Sequence, residues 1–245
     1  MEQTKGGLFN DSYRWILDNA DFRRWRNDKN SRLLWIKGDP GKGKTMLLCG
    51  IIDELEKMND GILSYFFCQA TDSRINSAIS VLRGLIYLLV ESRMSLLEHV
   101  RKKYDTAGKQ VFEDANAWVA LSGILASILE TRSETYLVID ALDECLAGLP
   151  DLLAFIVEKS SAYPHIKWLV SGRNWPDIEA QLDRTTQKIR LCLELNQDSI
   201  SAAVSKYIHY KPWFVKSLGI PRSKDGTPVR DYMAFRRTST LYTGG

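Results

Sequence analysis

One stretch constrains this chain more than any other: Arg32 to Leu55, RLLWIKGDPGKGKTMLLCGIIDEL. An apolar run leads into a loop with three glycines and two lysines, Gly38 to Lys44, and an apolar pattern with helical spacing follows. The loop fits the pattern GxxxxGK[ST] from Gly38 to Thr45. Glycine permits the backbone angles that let N–H groups point inward around an anion. The stretch therefore predicts a strand, a phosphate-binding loop and a helix, in that order.

A nucleotide is the ligand that this loop predicts. Lys44 is expected to reach the β- and γ-phosphates, and the Thr45 hydroxyl is expected to ligate Mg²⁺. The N-terminus of the following helix adds a partial positive charge. Lys42 also fits a solvated loop charge, and the sequence leaves that alternative open. The predicted nucleotide-binding residues are Gly38, Asp39, Pro40, Gly41, Lys42, Gly43, Lys44, Thr45 and Met46.

Apolar runs alternate with helical patterns along the chain. Runs typical of buried strands lie at residues 32–38, 61–70, 135–142, 165–173 and 188–195. Helical patterns lie at Thr45–Met58, Ile75–Val90, Ala115–Leu129 and Leu149–Ser161, and Ser12–Asp28 fits one or two short helices. Strands separated by helices of this length predict an α/β fold, in which helices cover a parallel sheet on both faces.

Size and charge bound the organisation of the chain. With 245 residues and 44% hydrophobic content, it can bury one substantial core. Residues 211–245 hold seven basic and two acidic side chains, which leaves 26 basic and 28 acidic ones elsewhere. The main body is therefore not a polyanion binder by charge. We predict N-terminal linker helices over residues 1–30, an NTPase domain over 31–210 and a basic, poorly ordered tail over 211–245.

The sequence also predicts where the protein acts. No apolar run reaches the roughly 18 residues that a membrane-spanning helix needs, and no signal peptide opens the chain. The cysteines at 49, 68, 145 and 192 stand far apart without a CxxC pair, which argues against a zinc site or a disulfide framework. We therefore expect a cytoplasmic protein with no membrane partner and no specific nucleic-acid partner.

Acidic residues follow the strand predicted at 135–142. Asp140 comes after four apolar residues, at the carboxyl edge of the sheet where open α/β folds bind ligands. We expect Thr45 and Asp140 to hold Mg²⁺ together. The Asp140 carboxylate is expected to contact the metal through a water molecule. Asp143 and Glu144 fit a catalytic role, in which they orient or deprotonate a water. The alternative is that both acids form the first turn of the next helix.

Arg173 ends the apolar run at 165–173. An arginine at this edge can sense the γ-phosphate, because its charge and fork geometry suit phosphate oxygens. A surface salt bridge is the alternative role. The predicted catalytic set is therefore Asp143, Glu144 and Arg173.

These three elements and their order resemble the NACHT domain of the STAND class of P-loop NTPases. The chain is most similar to the NACHT module of fungal NLR-like proteins, relatives of vegetative-incompatibility proteins with WD40 repeats. The similar blocks include YFFCQATDSRINSAISVLRGLIYLL, YLVIDALDEC and WLVSGRNWPDIE, and the likeness runs from about Gln3 to Tyr210. The resemblance implies a P-loop NTPase fold with a five-stranded parallel sheet in the order 5-1-4-3-2, and ATP or dATP that exchanges with ADP.

The resemblance also assigns roles to residues. It places the metal aspartate at Asp140, the distal acids at Asp143 and Glu144, and the sensor arginine at Arg173. Many relatives have glycine after the metal aspartate, whereas this chain has Ala141; because alanine is also small, we expect little change. Relatives usually carry an effector domain before the module and winged-helix and repeat regions after it. We expect this chain to start within the linker and to end in a basic tail that does not resemble the usual continuation, as a truncated paralogue, a splice product or an incorrect gene model would.

Three functions fit the sequence. The first is a nucleotide-dependent signalling switch that hydrolyses ATP slowly and associates with itself or with NLR-like relatives. The second is a non-catalytic fragment that binds full-length relatives, and the third is a P-loop kinase. GTP is disfavoured because no NKxD segment follows a strand: LNQDSI, at residues 195–200, lacks the lysine. The preference for ATP itself rests on the resemblance.

Overall fold

The computed structural model describes residues 13–58, 60–108, 116–185 and 188–193 and centres on a parallel sheet of five strands. The strands are β1 (Leu33–Lys37), β2 (Ile62–Phe67), β3 (Thr135–Asp140), β4 (Ile166–Gly172) and β5 (Lys188–Cys192). Their order across the sheet is β2-β3-β4-β1-β5, and every pairing is parallel. From the β5 edge this order is 5-1-4-3-2, so the predicted parallel sheet and its order are confirmed. The predicted tail over 211–245 lies outside the described residues, as does the segment 195–200.

Eight α-helices surround the sheet in the described part of the chain. They are residues 13–18 (α1), Ala20–Asn27 (α2), Lys44–Met58 (α3), Ala78–Ser92 (α4), Leu97–Ala107 (α5), Ala117–Leu129 (α6), Leu149–Ala162 (α7) and Pro176–Leu182 (α8). Helix α4 begins three residues later than predicted, because the Ser77 hydroxyl caps it by accepting the Ser80 N–H at 3.2 Å. Among the described residues, no helix is both long and apolar enough to span a membrane.

Strand side chains alternate between two cores, one on each face of the sheet. In β1, Leu33 and Trp35 lie in the first core, whereas Leu34 and Ile36 lie in the second. Helices α4, α6, α7 and α8 pack on the first face, and α1, α2 and α3 pack on the second. Helices therefore cover both faces, as predicted.

The two N-terminal helices belong to the second core. Tyr13, Ile16, Phe22 and Trp25 are each at most 2% exposed and pack with α3 and the sheet. Gly50 of α3 makes room for Tyr13, since a Cβ at position 50 would lie 2.1 Å from the tyrosine ring. The Tyr13 hydroxyl also donates a hydrogen bond to Glu54 of α3 at 3.0 Å. Helix α1 is thus docked directly on the helix that follows the glycine-rich loop.

A buried lysine of β4 ties the end of α2 to the sheet. The Lys167 ammonium donates hydrogen bonds to the carbonyl oxygens of Trp25 at 2.7 Å, Asp28 at 2.7 Å and Ser31 at 2.9 Å. Burial lowers the pKa of Lys167 to about 8. Three carbonyls at the end of a helix suit a cation, because the helix dipole places partial negative charge there. Lys167 therefore anchors the connection between α2 and β1.

Candidate functional site

The glycine-rich loop occupies residues 38–43, between the end of β1 and the start of α3. Gly41 and Gly43 have φ angles of 79° and 78°, which other residues adopt at a cost. A Cβ at either position would meet nothing within 4 Å, so the backbone angle, and not crowding, requires glycine there. The loop leads directly into the N-terminus of α3, where a helix favours a phosphate group. Both features are those that the sequence predicted.

Lys44 lies over this loop. Its ammonium donates hydrogen bonds to the carbonyl oxygens of Gly38 at 2.5 Å and Asp39 at 2.9 Å. The α3 helix begins at Lys44, and the Leu47 N–H bonds the Gly43 carbonyl at 3.0 Å. The cation therefore lies against the start of the loop that leads into the first turn of the helix. Positive charge and helix N–H groups at one place favour an anionic ligand.

The carboxylate of Asp140 is held between two hydroxyls. Thr45 donates to one carboxylate oxygen at 2.6 Å, and Ser171 of β4 donates to the other at 2.5 Å. Asp140 is 3% exposed and ends β3, as predicted. The structure thus brings together Thr45 and Asp140, the two residues predicted to hold the metal. Oxygen ligands of this kind are those that Mg²⁺ prefers.

Ser171 is a site residue that sequence reasoning missed. Besides bonding Asp140, its hydroxyl accepts the Ala141 N–H at 3.0 Å, and its side chain is fully buried. Ser171 therefore fixes both the carboxylate and the backbone just after it. The available signal was a serine inside the otherwise apolar run WLVSG.

Asp143 and Arg173 form an ion pair. The Asp143 carboxylate accepts the backbone N–H of Arg173 at 3.0 Å and pairs with its Nε at 2.9 Å. The Asp143 side chain is 4% exposed, whereas that of Arg173 is 43% exposed. The arginine therefore has one side on the carboxylate and another open to solvent. The catalytic roles of both residues stay predictions.

Glu144 points away from that pair. Its carboxylate accepts the backbone N–H of Ala70 at 3.0 Å, in the connection between β2 and α4. Asp143 and Glu144 lie in a 3-10 turn, Leu142–Glu144, and α7 begins only at Leu149. Both acids therefore lie in a short 3-10 helix, as the alternative of a helix turn has it, but not in the first turn of α7. The proposed catalytic role of Glu144 stays a prediction.

Ala141 has a left-handed backbone, with φ 56° and ψ 55°. Among the described non-glycine residues it alone has a positive φ. A side chain in this conformation costs roughly 1–2 kcal/mol, a penalty that glycine avoids. The expectation that alanine changes little considered only its size and missed this backbone strain.

Ala141→Gly is expected to stabilise the protein by about 0.5 kcal/mol. Relief of the left-handed strain exceeds the extra entropy that glycine gives the unfolded chain, about 0.4–1 kcal/mol. Urea unfolding of the two proteins measures the difference. In contrast, Ala154→Gly, at an exposed position of α7, should cost about 1 kcal/mol. A loss of stability in Ala141→Gly as large as that of Ala154→Gly would contradict the strain.

Two buried thiols lie beneath the acidic residues. Cys68 follows β2, and its backbone N–H bonds the Asp140 carbonyl at 3.1 Å. A hydrogen bond to the Cys145 thiol, burial and the nearby carboxylates raise the pKa of Cys68. The same hydrogen bond lowers the pKa of Cys145. The hydrogen bond and burial are the main causes, and both favour the protonated form of the Cys68 thiol.

Comparison with known proteins gives one family and one curated relative. A family model described as nephrocystin 3, N-terminal, matches residues 11–173. Vegetative incompatibility protein HET-E-1 of Podospora anserina is 59% identical over 247 residues. That match covers 98% of this chain and 18% of the relative, so the chain spans less than a fifth of the relative's length.

Solved structures give weaker likenesses. Cdc6p of Pyrobaculum aerophilum matches with a TM-score of 0.41 and 14% identity, over 72% of this chain and 43% of that one. A DNA replication initiation factor matches with a TM-score of 0.43 and 13% identity, over 90% of this chain and 59% of that one. At these TM-scores the likeness is partial, and nothing about function follows from it.

Proposed function

This chain belongs to the nephrocystin 3 N-terminal family, and from that premise we propose that it is an ATP-binding module that works as a nucleotide-dependent switch in signalling. The 59% sequence identity between this chain and the Podospora protein confirms the resemblance to the NACHT modules of fungal vegetative-incompatibility proteins. Slow ATP hydrolysis, and association with itself or with NLR-like relatives, are parts of the proposal that rest on that resemblance.

The observation that carries the proposal is the meeting of Lys44, Thr45 and Asp140 at one end of the sheet. Lys44 and the first turn of α3 would bind the β- and γ-phosphates of ATP. Thr45 and Asp140 have the oxygen atoms that would hold Mg²⁺. When bound, Mg²⁺ would neutralise phosphate charge. The residues present therefore fit both the nucleotide and its metal.

The Asp143–Arg173 pair favours a switch. The Arg173 guanidinium is bonded to Asp143 and still 43% exposed, so a γ-phosphate would compete with the carboxylate for the same cation. ADP offers no γ-phosphate and would leave the pair as it is. The two nucleotides would therefore differ in what they do to Asp143, which is the property that a switch needs.

Thermal unfolding with Mg²⁺ and ATP, ADP or GTP tests the proposal. ATP at a hundredfold excess over its dissociation constant should raise the free energy of unfolding by roughly 2.7 kcal/mol. Lys44→Ala should lose this gain, since the ammonium over the loop is removed. Lys57→Ala, which changes an exposed lysine at the far end of α3, should keep it.

The same experiment separates the possible results. ATP and ADP should stabilise the wild type, GTP should do so less, and phosphate release should be slow. Rapid multiple turnover would favour an enzyme over a switch. If none of the three nucleotides shifts the folded wild type, the proposal is wrong.

A further inference from the structure

A network of ion pairs joins β1, α8 and β5 next to the proposed site; we refer to it as the α8 network. Lys37 of β1 pairs with Glu179 of α8 at 3.4 Å, and Arg190 of β5 pairs with the same carboxylate at 2.5 Å. Arg190 also bonds both carboxylate oxygens of Asp183 at 2.5 Å. Lys188 completes the network by pairing with Asp183. Charges of alternating sign thus run from the end of β1 to the edge strand.

Lys37 is the member of the α8 network that touches the site. It is the last residue of β1 and directly precedes Gly38, whose carbonyl accepts the Lys44 ammonium. Its own ammonium donates to the Asn174 side-chain carbonyl at 3.1 Å. Asn174 follows Arg173 in sequence. One ammonium therefore connects the root of the phosphate loop with the segment that bears the arginine.

The surroundings of Lys37 hold it in place. Its side chain is 13% exposed, and its ammonium lies 5.4 Å from the centre of the Trp35 ring. A backbone hydrogen bond joins the same two segments as the Lys37–Asn174 contact does: the Gly38 N–H donates to the Gly172 carbonyl at 3.3 Å. Exposed ion pairs contribute little stability, and Glu179 and Arg190 are both partly exposed. The geometry therefore points to positioning more than to stability.

We infer that Lys37 is a positioning residue that makes the site prefer ATP over ADP, by fixing Asn174 and through it Arg173. This inference rests on the proposed function, in which Arg173 contacts the γ-phosphate. Asp143 holds Arg173 from one side, and Lys37 holds the next residue from the other. Without Lys37, the arginine segment keeps only the first of these tethers. ADP affinity should not change, because ADP has no group that reaches Arg173.

Lys37→Met tests the inference, because methionine keeps an apolar stem over Trp35 and removes the ammonium. The matched control is Lys159→Met: Lys159 is 14% exposed, lies 5.4 Å from the Phe155 ring centre and pairs with Glu158. Dissociation constants for ATP and ADP are measured by calorimetry on the wild type and the two variants, each with residues 1–245. In Lys37→Met the preference for ATP over ADP should fall about fivefold, within the range seen for residues remote from both ligands. In Lys159→Met it should stay as in the wild type.

Hydrogen exchange without nucleotide gives an independent readout. In Lys37→Met the backbone amide of Arg173, which bonds Asp143, should exchange faster than in the wild type, whereas Lys159→Met should leave it unchanged. Glu179→Gln, which keeps the shape of the side chain, should shift the ATP preference in the same direction by a smaller factor and serves if Lys37→Met does not fold.

The outcomes distinguish the role of Lys37 from the proposed function. If the wild type binds ATP and Lys37→Met keeps the same ATP-to-ADP ratio, the inference is overturned and the proposed function stands. An equal fall in Lys37→Met and Lys159→Met would also overturn it, because the effect would then be general. If the wild type binds neither nucleotide, the proposed function fails and the discrimination by Lys37 fails with it.

Discussion

Asp140→Asn is expected to abolish the Mg²⁺-dependent part of stabilisation by ATP and to lower phosphate release roughly a hundredfold or more. The change removes the negative charge that would hold the metal. It should leave the fold intact within about 1 kcal/mol, because the hydroxyls of Thr45 and Ser171 can donate or accept and so can bond an amide. Binding and stability are therefore separable at this residue.

Thermal unfolding with ATP, with and without EDTA, measures this effect. In the wild type EDTA should remove much of the gain in melting temperature, whereas in Asp140→Asn it should change nothing. Asp151→Asn, at an exposed position in the first turn of α7, is the control and should behave as the wild type does. A Mg²⁺ response in Asp140→Asn equal to that of the wild type would rule out Asp140 as the metal residue.

Lys167→Met should cost about 3 kcal/mol of stability, the largest loss expected from a change outside the proposed site. The buried carbonyl oxygens of Trp25 and Ser31 would lose this donor, whereas that of Asp28 keeps the Ser31 N–H at 3.0 Å. Each unsatisfied buried group costs about 1–3 kcal/mol. Part of this loss of stability is offset, because the variant no longer buries an ammonium group, whose burial lowers its pKa to about 8. The lost hydrogen bonds should outweigh the relief, because the ammonium uses all three of its donors.

Urea unfolding monitored by tryptophan fluorescence tests this expectation, and Trp25 lies at the affected helix end. Lys102→Met, on the exposed face of α5 where the lysine pairs with Glu98, should change stability by less than about 0.5 kcal/mol. A loss below about 1 kcal/mol in Lys167→Met would mean that desolvation of the ammonium nearly cancels its hydrogen bonds.

The sheet could be predicted because its three central strands, β1, β3 and β4, are buried on both faces. Thr135–Asp140 and Ile166–Gly172 are buried throughout, and such runs are short, apolar and bounded by polar residues. Helices α5 and α8 were missed for a physical reason as well. LEHVRKKYDTA has few apolar residues to show a period, and α8 is only seven residues long. The boundaries at residues 30 and 210 stay predictions.

At the site, the sequence indicated which residues reach the carboxyl edge of the sheet but not how their side chains meet. Lys44, Thr45 and Asp140 could be placed because the loop pattern and the strand end each fix a position. Ser171 and the Asp143–Arg173 pair could not, since they depend on side-chain contacts between β3 and β4 and the turns that follow them. The strain at Ala141 likewise depends on a backbone angle that residue size does not reveal.

The Tyr13 ring packs in the space left by Gly50, so the segment before β1 is part of the packed domain. A version that started at Arg32 would lose Tyr13, Ile16, Phe22 and Trp25 and leave one flank of α3 bare to water. A shortened version that keeps this packing therefore has to include Tyr13. Because Tyr13 contacts α3 directly, a displacement of α1 would act on the same helix that begins with Lys44 and Thr45.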